Sequence, residues 1–268
     1  MSRPEKLDLI EHISSKEKKQ RYVNRLFETI APRYDFFTKL MSYGMDGGWK
    51  RELVEMAKLQ GDETTLDLAC GTGDIAFAVA NHLTGGQTAG LDITQGMLDI
   101  ANRRRHQGGP ANVSFSRGDI MSLPFAHGTF DCVTGGYAMR NVPDIPGALK
   151  EVNRVLKPGG RFLSLDFGHP SNKTYRWLYL KYLSLVGSVV GLAMHGDADT
   201  YRYIPESLKR YPGQQGVREM MHSAGFVETG FREFGGGIIA INYGSRSLTR
   251  AEPFRRSPMQ HDLADGVS

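Results

Sequence analysis

A glycine-rich turn with an acidic residue downstream is the arrangement in this chain best suited to chemistry. Residues 65–74 read TLDLACGTGD, an apolar strand pattern that ends in a turn at Gly71 and Gly73. Glycines at these positions let the backbone turn sharply beside a ligand. A second apolar run ends at Asp92, roughly 20 residues past the turn, the usual distance for a carboxylate that accepts hydrogen bonds from ribose hydroxyls. The pattern therefore predicts a nucleoside cofactor.

The charges beside the turn bear on which cofactor binds. The turn also satisfies the loose dinucleotide fingerprint G-x-G-x-x-A, so a dinucleotide-dependent oxidoreductase stays open. Carboxylates at Asp67 and Asp74 would repel a pyrophosphate but attract a cationic amino acid. S-adenosylmethionine has an ammonium and a sulfonium group and no phosphate, and is favoured for that reason. Capping of the following helix is the alternative role for Asp74.

Strand and helix patterns alternate along most of the chain. This alternation predicts an α/β fold with a mostly parallel sheet and helices on both faces. The predicted strands are 66–69, 88–92, 113–116, 130–133, 162–166, 226–234 and 237–243. The predicted helices include 17–30, 48–59, 74–82, 95–105, 145–156 and 213–223. After the third strand, a carboxylate and the adjacent backbone are placed to bind adenine. The predicted cofactor-binding residues are Asp67, Gly71, Thr72, Gly73, Asp92, Asp119 and Ile120.

Length and composition fit one globular domain. The chain has 268 residues, of which 40% are hydrophobic, enough to bury one sizeable core. We predict a single domain over residues 16–246 with an insertion over about 170–210. Residues 1–15 are polar, and residues 247–268 are rich in Arg, Ser and Pro, so both are predicted to be mobile tails.

The cysteines, the histidines and the net charge narrow the function classes. Cys70 and Cys132 are too few for a disulfide framework, and no signal peptide opens the chain, so we expect a cytoplasmic protein. The eight histidines are scattered without metal-ligand spacing, so no metal site is predicted. The net charge of +4, from 33 basic and 29 acidic residues, lacks the coherent patch that nucleic-acid binding needs. It is compatible with weak attraction to an anionic membrane surface.

Several separated motifs identify a family. The turn LKPGGR at 156–161, together with the glycine turn, resembles class I S-adenosylmethionine-dependent methyltransferases over residues 60–243. Other motifs resemble the quinone-biosynthesis C-methyltransferase family over residues 17–246. They are IAPRYD at 30–35, LMSYG at 40–44, MRNV at 139–142 and DADTYRYIPES at 197–207. The chain departs from that family at Thr38, Asp46 and Cys70, where Asn, His and Gly respectively are frequent.

The resemblance implies a Rossmann-like class I methyltransferase fold with a seven-stranded sheet and S-adenosyl-L-methionine as methyl donor. It also implies C-methylation of a lipophilic, polyprenylated quinol in menaquinone or ubiquinone biosynthesis, with demethylmenaquinol slightly preferred as the acceptor. A methyltransferase for another phenol or a sterol is one alternative, and a non-catalytic scaffold of a quinone-synthesis complex is another. A homodimer is left open.

A quinol supplies its own nucleophile, because loss of a hydroxyl proton activates the adjacent ring carbon. The enzyme must hold the acceptor near the sulfonium, exclude water and stabilise a phenolate. Arg140, just after the fourth strand, is the predicted catalytic residue, since a guanidinium can orient the oxygen and lower its pKa. The alternative for Arg140 is a structural ion pair with Asp144 or Asp166. The predicted substrate-pocket residues, each of which could equally be structural, are Tyr34, His169, Asp197, Tyr201 and Tyr203.

Residues 175–194 combine aromatic and aliphatic side chains. The uninterrupted apolar stretch after Lys181 is too short to span a membrane. One interpretation is an amphipathic lid, with Trp177, Tyr179 and Tyr182 near a membrane interface and leucines facing a lipid tail. Such a lid would let the protein bind peripherally at the inner face of the membrane. The other interpretation is a helix packed on the core, and both stay open.

Overall fold

The computed structural model describes residues 16–31, 38, 42, 44–195 and 203–248. The two predicted tails lie outside this part of the chain, except for residues 247 and 248. The helices in the described part are α1 Lys16–Ile30, α2 Asp46–Ala57, α3 Asp74–Ala80, α4 Gln95–His106, α5 Ile145–Val155, α6 Lys173–His195, α7 Tyr203–Arg210 and α8 Gly213–Ser223. The strands are β1 Thr64–Leu68, β2 Gln87–Asp92, β3 Val113–Arg117, β4 Phe130–Gly136, β5 Leu156–Phe167, β6 Phe226–Phe234 and β7 Ile239–Arg246.

Seven strands form one sheet in the order β3-β2-β1-β4-β5-β7-β6. Strands β1 to β5 are parallel, and β7 pairs antiparallel with both β5 and β6. The chain proceeds from β1 outward to β3 and then returns to β4 on the other side of β1. This reversal opens a crevice at the carboxyl ends of β1 and β4, the place where open α/β sheets bind ligands. The predicted α/β architecture with a mostly parallel seven-stranded sheet is confirmed.

Two hydrophobic layers cover the sheet, because its central strands are buried on both faces. Phe162 of β5 belongs to one layer, together with Val152 of α5 and Val217 of α8. The adjacent residue Leu163 belongs to the opposite layer, to which α2 contributes Leu53. Successive strand residues point to opposite faces, so one strand serves both layers. Packing on both sides holds the carboxyl ends of β1, β2 and β4 in a fixed relative position.

Two predicted boundaries differ from the structure for local reasons. The turn LKPGGR was expected before β5 but lies within it. Phe130 pairs with Leu156 while Cys132 pairs with Arg161, so the intervening residues form a bulge in the strand. The last strand begins at Ile239 rather than at residue 237, because Gly235–Gly237 form a 3₁₀ turn with positive φ angles.

Helix α6 lies in the predicted insertion and has two different faces. Leu183 is fully buried against Ile30 of α1 and Leu208 of α7 in a third hydrophobic cluster. Tyr179 and Tyr182, which the lid interpretation places at an interface, pack against this cluster. The opposite face has an apolar row whose members are each more than half exposed: Leu178, Leu185, Val189 and Leu192. Among the described residues, no helix is both long and apolar enough to cross a membrane.

Candidate active site

A cavity opens at the carboxyl ends of β1, β2 and β4, where the strand order reverses. This is the place where open α/β sheets bind small molecules. The sheet side and α1 form opposite parts of its wall. The wall residues used below are Gly71, Asp92, Asp119, Ile120, Tyr137 and Asn141 from the sheet side, and Gln20, Val23 and Phe27 from α1.

The two glycines of the turn have different roles. Both have positive φ angles, +54° at Gly71 and +93° at Gly73, which L side chains rarely adopt. A Cβ on Gly71 would meet no atom within 4 Å, and this residue lines the cavity. A Cβ on Gly73 would lie 2.8 Å from the ring of Phe77, so this glycine permits close packing of α3. Of these two glycines, Gly71 is the one that leaves open space beside the backbone, where a ligand can approach the main chain.

Asp92 connects the end of β2 to the glycine turn. Its Oδ2 accepts the N–H of Gly71 at 2.8 Å, and its Oδ1 accepts the N–H of Thr94 at 2.8 Å. Burial raises the pKa of this carboxyl, although the backbone N–H donors of Thr94 and Gly71 oppose the shift. Each oxygen has further lone-pair capacity, so the carboxyl can also accept hydrogen bonds from a ligand in the cavity.

The segment after β3 forms the part of the wall next to Asp92. Gly118 donates its N–H to the carbonyl of Asp92 at 3.0 Å, which holds this segment beside β2. Asp119 turns the chain, because its Oδ1 accepts the N–H of Met121 at 2.9 Å. Both Asp119 and Ile120 line the cavity. An apolar side chain and an acidic acceptor thus lie side by side, so that a purine could pack on the first and donate a hydrogen bond to the second.

Asp67 lies below the glycine turn, in β1, rather than in the cavity wall described above. Its Oδ1 accepts the hydroxyl of Thr134 at 2.8 Å, whereas its Oδ2 has no hydrogen-bond partner among the described residues. Burial raises the pKa of Asp67 to about 7. A role in cofactor binding therefore stays a prediction for this residue. Thr72 is buried as well, with its carbonyl accepting a hydrogen bond from Arg104.

Asp74 is paired with two cations on the protein itself. Its Oδ2 lies 2.9 Å from Nζ of Lys50, and its Oδ1 lies 2.7 Å from a guanidinium nitrogen of Arg104. Burial acts to raise its pKa, but the two cations outweigh burial and the pKa is lowered. The capping position of α3 is occupied by Gly73, and Asp74 is the first residue of the helix. The negative charge of Asp74 is thus paired with the positive charges of Lys50 and Arg104.

Arg140 is buried behind the cavity, with 8% of its surface exposed. Its Nε lies 3.2 Å from Oδ1 of Asp166, and its backbone N–H donates to Oδ2 of the same carboxylate at 3.1 Å. The guanidinium also stacks over Phe167, 5.0 Å from the ring centroid. Of the two ion pairs suggested as alternatives, the one with Asp166 is present. A catalytic role for Arg140 stays a prediction, and its neighbour Asn141 is the residue that reaches the wall.

The predicted substrate-pocket residues fall into two groups. His169 has its ring nitrogen Nε2 3.0 Å from the carbonyl of Leu208, and its ring packs edge-on against Tyr211. These contacts connect the chain before α6 to α7 rather than forming the cavity wall described above. Tyr203 begins α7, but its side chain lies outside the described part. The remaining three candidates also lie outside it: Tyr34, Asp197 and Tyr201.

The α1 wall of the cavity was not predicted from the sequence. Lys19 fixes this helix over the sheet, because its Nζ donates to the carbonyls of Arg140 at 3.1 Å and Val142 at 2.6 Å. Burial, with a contribution from the nearby Arg140 charge, lowers the pKa of Lys19 to about 8. Val23 and Phe27 face the cavity from the same helix. Their spacing of four residues signals an apolar helix face, but not the surface on which it packs.

Comparison with known proteins gives a family match over this whole arrangement. The model of the ubiE/COQ5 methyltransferase family matches residues 14–246. A ubiquinone/menaquinone biosynthesis C-methyltransferase of Cellvibrio japonicus is 39% identical over 230 residues, covering 85% of this chain and 92% of the relative. A demethylmenaquinone methyltransferase of Thermus thermophilus is 38% identical over 222 residues, covering 82% of this chain and 100% of the relative.

Solved structures support the fold. A SAM-dependent methyltransferase of Thermotoga maritima superposes with a TM-score of 0.60 at 20% identity, covering 84% of this chain and 100% of that one. A phosphoethanolamine N-methyltransferase of Haemonchus contortus, solved with S-adenosylhomocysteine, superposes with a TM-score of 0.61 at 14% identity. It covers 85% of this chain and 60% of the other. The sheet is therefore that of a class I methyltransferase.

Proposed function

Since this chain belongs to the ubiE/COQ5 methyltransferase family, we propose that it methylates a ring carbon of a reduced, prenylated quinone, with demethylmenaquinol as acceptor. The chain is an S-adenosylmethionine-dependent methyltransferase, and the dinucleotide alternative is therefore set aside. The observation that carries the choice of a quinol as acceptor is the extent of the family match. It includes α1, α6 and α7, the helices above the carboxyl edge of the sheet, and not only the cofactor-binding strands.

We propose one orientation of the donor in the cavity. We place its ribose hydroxyls at Asp92 and its adenine at Asp119 and Ile120, which lie beside each other in the wall. The methionine part then extends along Gly71, where the absence of a Cβ leaves open space. S-adenosylmethionine supplies the electrophilic methyl group, and the residues of this chain hold it, orient it and exclude water from it.

The acceptor step requires a phenolate. A quinol hydroxyl that loses its proton to water pushes electron density to the adjacent ring carbon, which attacks the methyl group, and the neutral thioether leaves. The methylated carbon then loses its ring proton to water and the oxygen is protonated again, which restores the aromatic quinol with one net proton released. Arg140 is proposed to stabilise the phenolate, with Asp166 fixing the guanidinium in place. An oxidised quinone has no hydroxyl and is expected to be inert.

Attachment to the membrane surface belongs to the same proposal, because a polyprenyl quinol resides in the bilayer. The exposed apolar row of α6 is accompanied by Trp177, with Nζ of Lys181 5.7 Å from its ring centroid. Aromatic and basic groups beside an apolar row favour the interface of an anionic membrane. We propose that the protein acts from the cytoplasm and binds the inner face of the membrane through this row. Pairing with a second copy is the rival use of the same surface.

The reaction is tested with purified protein and methyl-labelled S-adenosylmethionine in liposomes that contain demethylmenaquinol or its oxidised form. The expected result is label on a ring carbon, with the oxidised form labelled at least about tenfold more slowly because it has no hydroxyl from which a phenolate can form. A tenfold difference in rate corresponds to about 1.4 kcal/mol in the activation barrier. Equal rates on the two redox forms, or label on an oxygen, contradict the mechanism. Turnover on the ubiquinone-precursor benzoquinol alone, or on a phenol or sterol alone, contradicts the proposed acceptor. Absence of turnover on every acceptor indicates the scaffold alternative.

A further inference from the structure

Tyr137 follows β4 directly and forms part of the cavity wall. Its φ is +57°, a left-handed conformation that a tyrosine rarely adopts, and only 8% of its surface is exposed. Residues held in such conformations persist when the surrounding contacts enforce them, and they cluster at ligand sites. A tyrosine held in this conformation in a cavity wall is therefore a candidate ligand-binding residue.

Contacts on several sides fix the Tyr137 ring. Its hydroxyl donates to Oδ1 of Asp46 at 2.8 Å, and its backbone N–H donates to the carbonyl of Leu165 at 2.6 Å. The ring of Phe167 lies 5.5 Å away between centroids. Asp46 is itself buried, with 5% of its surface exposed, and its Oδ2 lies 2.5 Å from Nζ of Lys50. A buried carboxylate in an ion pair is a firm anchor for the hydroxyl.

The same anchor connects Tyr137 to the glycine turn. Lys50 contacts Asp74, the first residue of α3, in addition to Asp46. Arg104 pairs with Asp74 from the other side and donates to the carbonyl of Thr72 at 2.8 Å. Ion pairs of alternating sign thus connect Asp46, the partner of the Tyr137 hydroxyl, to the glycine turn. The distance between the Tyr137 ring and the cofactor-binding backbone is therefore fixed from outside the cavity.

In the donor orientation proposed above, the sulfur would lie beside Tyr137, so this step rests on the proposed function. Ribose at Asp92 and adenine at Asp119 occupy the β2 and β3 side of the cavity. Because β1 lies between β2 and β4, the methionine part must point toward β4. Gly136 and Tyr137 line the cavity there. We propose that the Tyr137 ring, held by Asp46, binds the sulfonium group of the donor and favours the charged donor over the neutral product.

The physical basis is the charge of the sulfur. The face of an aromatic ring attracts a cation, most strongly where water is excluded. Methyl transfer converts the sulfonium into a neutral thioether, so this attraction ends with the reaction. Tyr137 would therefore strengthen binding of S-adenosylmethionine without strengthening binding of S-adenosylhomocysteine, which assists product release.

Calorimetry with each ligand, on the full chain and without acceptor, tests the role of the ring. Tyr137→Leu is expected to weaken S-adenosylmethionine binding about tenfold and S-adenosylhomocysteine binding less than about twofold, because both ligands have an ammonium group but only the first has a positively charged sulfur. Equal losses for the two ligands mean that Tyr137 merely shapes the cavity, and unchanged affinities mean that the sulfur lies elsewhere. Either outcome overturns the proposal. Tyr243→Leu on β7 is the matched control. It is expected to leave unchanged the affinity ratio, which is the affinity for S-adenosylmethionine divided by the affinity for S-adenosylhomocysteine.

Asp46 is a positioning residue in this scheme, and the choice of substitution separates it from a general structural role. Asp46→Ala removes the acceptor for the Tyr137 hydroxyl, so the affinity ratio is expected to fall about threefold, a fraction of the whole cation effect. Asp46→Asn retains an acceptor oxygen and is expected to restore the wild-type ratio. Equal effects of the Ala and Asn variants on the ratio contradict the positioning role.

The conservative variants keep the proposal testable even if Tyr137→Leu fails to fold. Tyr137→Phe keeps the ring but loses the anchor, so its ratio should match that of Asp46→Ala, and combining the two should add nothing further. Additive effects of these two substitutions contradict the shared mechanism. The proposed function is judged separately by label transfer to quinol: a wild-type protein with the expected ligand preference but no quinol turnover would overturn the acceptor and leave the sulfonium assignment intact.

Discussion

Several residues around the cavity can serve both the local structure and the binding of a ligand. Asp92 holds the glycine turn through backbone N–H groups while its carboxyl lines the cavity. Arg140 is positioned by Asp166, and Asp67 is buried beneath the turn. For each of them a substitution can affect the ligand, the local structure, or both. Measurements of affinity, turnover and stability therefore distinguish a role in ligand binding from a role in local structure.

Asp92→Ala is expected to weaken S-adenosylmethionine binding by roughly 1.5–3 kcal/mol, the range for charged hydrogen bonds to a ribose diol. Calorimetry measures this loss directly. Asp99→Ala provides the control, because Asp99 is an exposed acid of the neighbouring helix α4 whose side chain bonds Gln95. Unchanged affinity in the Asp92 variant would contradict the ribose assignment.

Arg140→Lys keeps the charge but loses the planar fork of the guanidinium. If Arg140 stabilises the phenolate, kcat falls while the affinity for the donor stays nearly intact. Arg154→Lys is a matched control, since Arg154 pairs with Glu151 outside the cavity wall described above. A variant of Arg140 with normal kcat and a lower melting temperature would assign the arginine to the ion pair with Asp166 alone.

Asp67 predicts a specific pH dependence of stability. Its pKa is about 7 in the folded protein against 3.8 for the ordinary group, so between these values the folded state binds more protons than the unfolded state. Stability from this group is complete below pH 3.8 and declines as the pH rises through about 7. Urea denaturation from pH 5 to 8 should show the wild type losing about 3 kcal/mol more than Asp67→Asn, which does not titrate. Parallel losses in the two proteins would contradict this assignment.

At the scale of elements, helices α1, α6 and α7 form a layer separate from the two that cover the sheet. Their shared cluster contains Ile30, Leu183 and Leu208, one residue from each helix. This small cluster leaves the apolar row of α6 facing outward. The layer closes the cavity through α1 on its inner side, and on its outer side it offers the surface proposed for the membrane.

Leu185→Glu combined with Val189→Glu places two negative charges in the apolar row of α6. Binding to vesicles that contain anionic lipid is expected to fall several-fold, because the row would no longer enter the interface and the added charges would be repelled. Cosedimentation with the vesicles measures the bound fraction. Leu248→Glu, at another exposed leucine, is the control. Unchanged vesicle binding contradicts the membrane assignment, and conversion of a dimer to a monomer on ultracentrifugation would assign the row to a second copy.

At the scale of the whole molecule, a ligand that binds only the folded chain must raise its stability. S-adenosylhomocysteine at about 100 times its dissociation constant adds about 2.7 kcal/mol, which corresponds to roughly 5–10 °C in melting temperature for a domain of this size. NAD and NADP are expected to give no shift, because acids rather than phosphate-binding cations line the cavity. A thermal-shift experiment compares them directly. A shift with a dinucleotide and none with S-adenosylhomocysteine would contradict the assigned cofactor.

The sequence by itself determined the sheet and the donor end of the site. Strand periodicity and the glycine turn are local properties, and parallel strands with intervening helices bring their carboxyl ends to one edge. Gly71, Asp92 and Asp119 could therefore be predicted to meet. The boundaries of β5 and β7 were less predictable, because a bulge and a 3₁₀ turn depend on the partner strands.

Only the tertiary structure decided the partners of the charged residues and the identity of the opposite wall. Arg140 pairs with Asp166, Lys50 connects Asp46 with Asp74, and the Tyr137 hydroxyl meets Asp46, a residue 91 positions away. Of these contacts, sequence spacing indicates only the pairing of Lys50 with Asp46, four residues earlier on α2, and Asp166 was one of two partners considered for Arg140. The choice of the long-range partners depends on how separate layers dock. The same holds for α1, whose apolar face was visible in its periodicity but whose place over the cavity is set by Lys19 and the α6 cluster. Local patterns are fixed by backbone geometry, whereas contacts between layers are fixed by the packing of the complete chain.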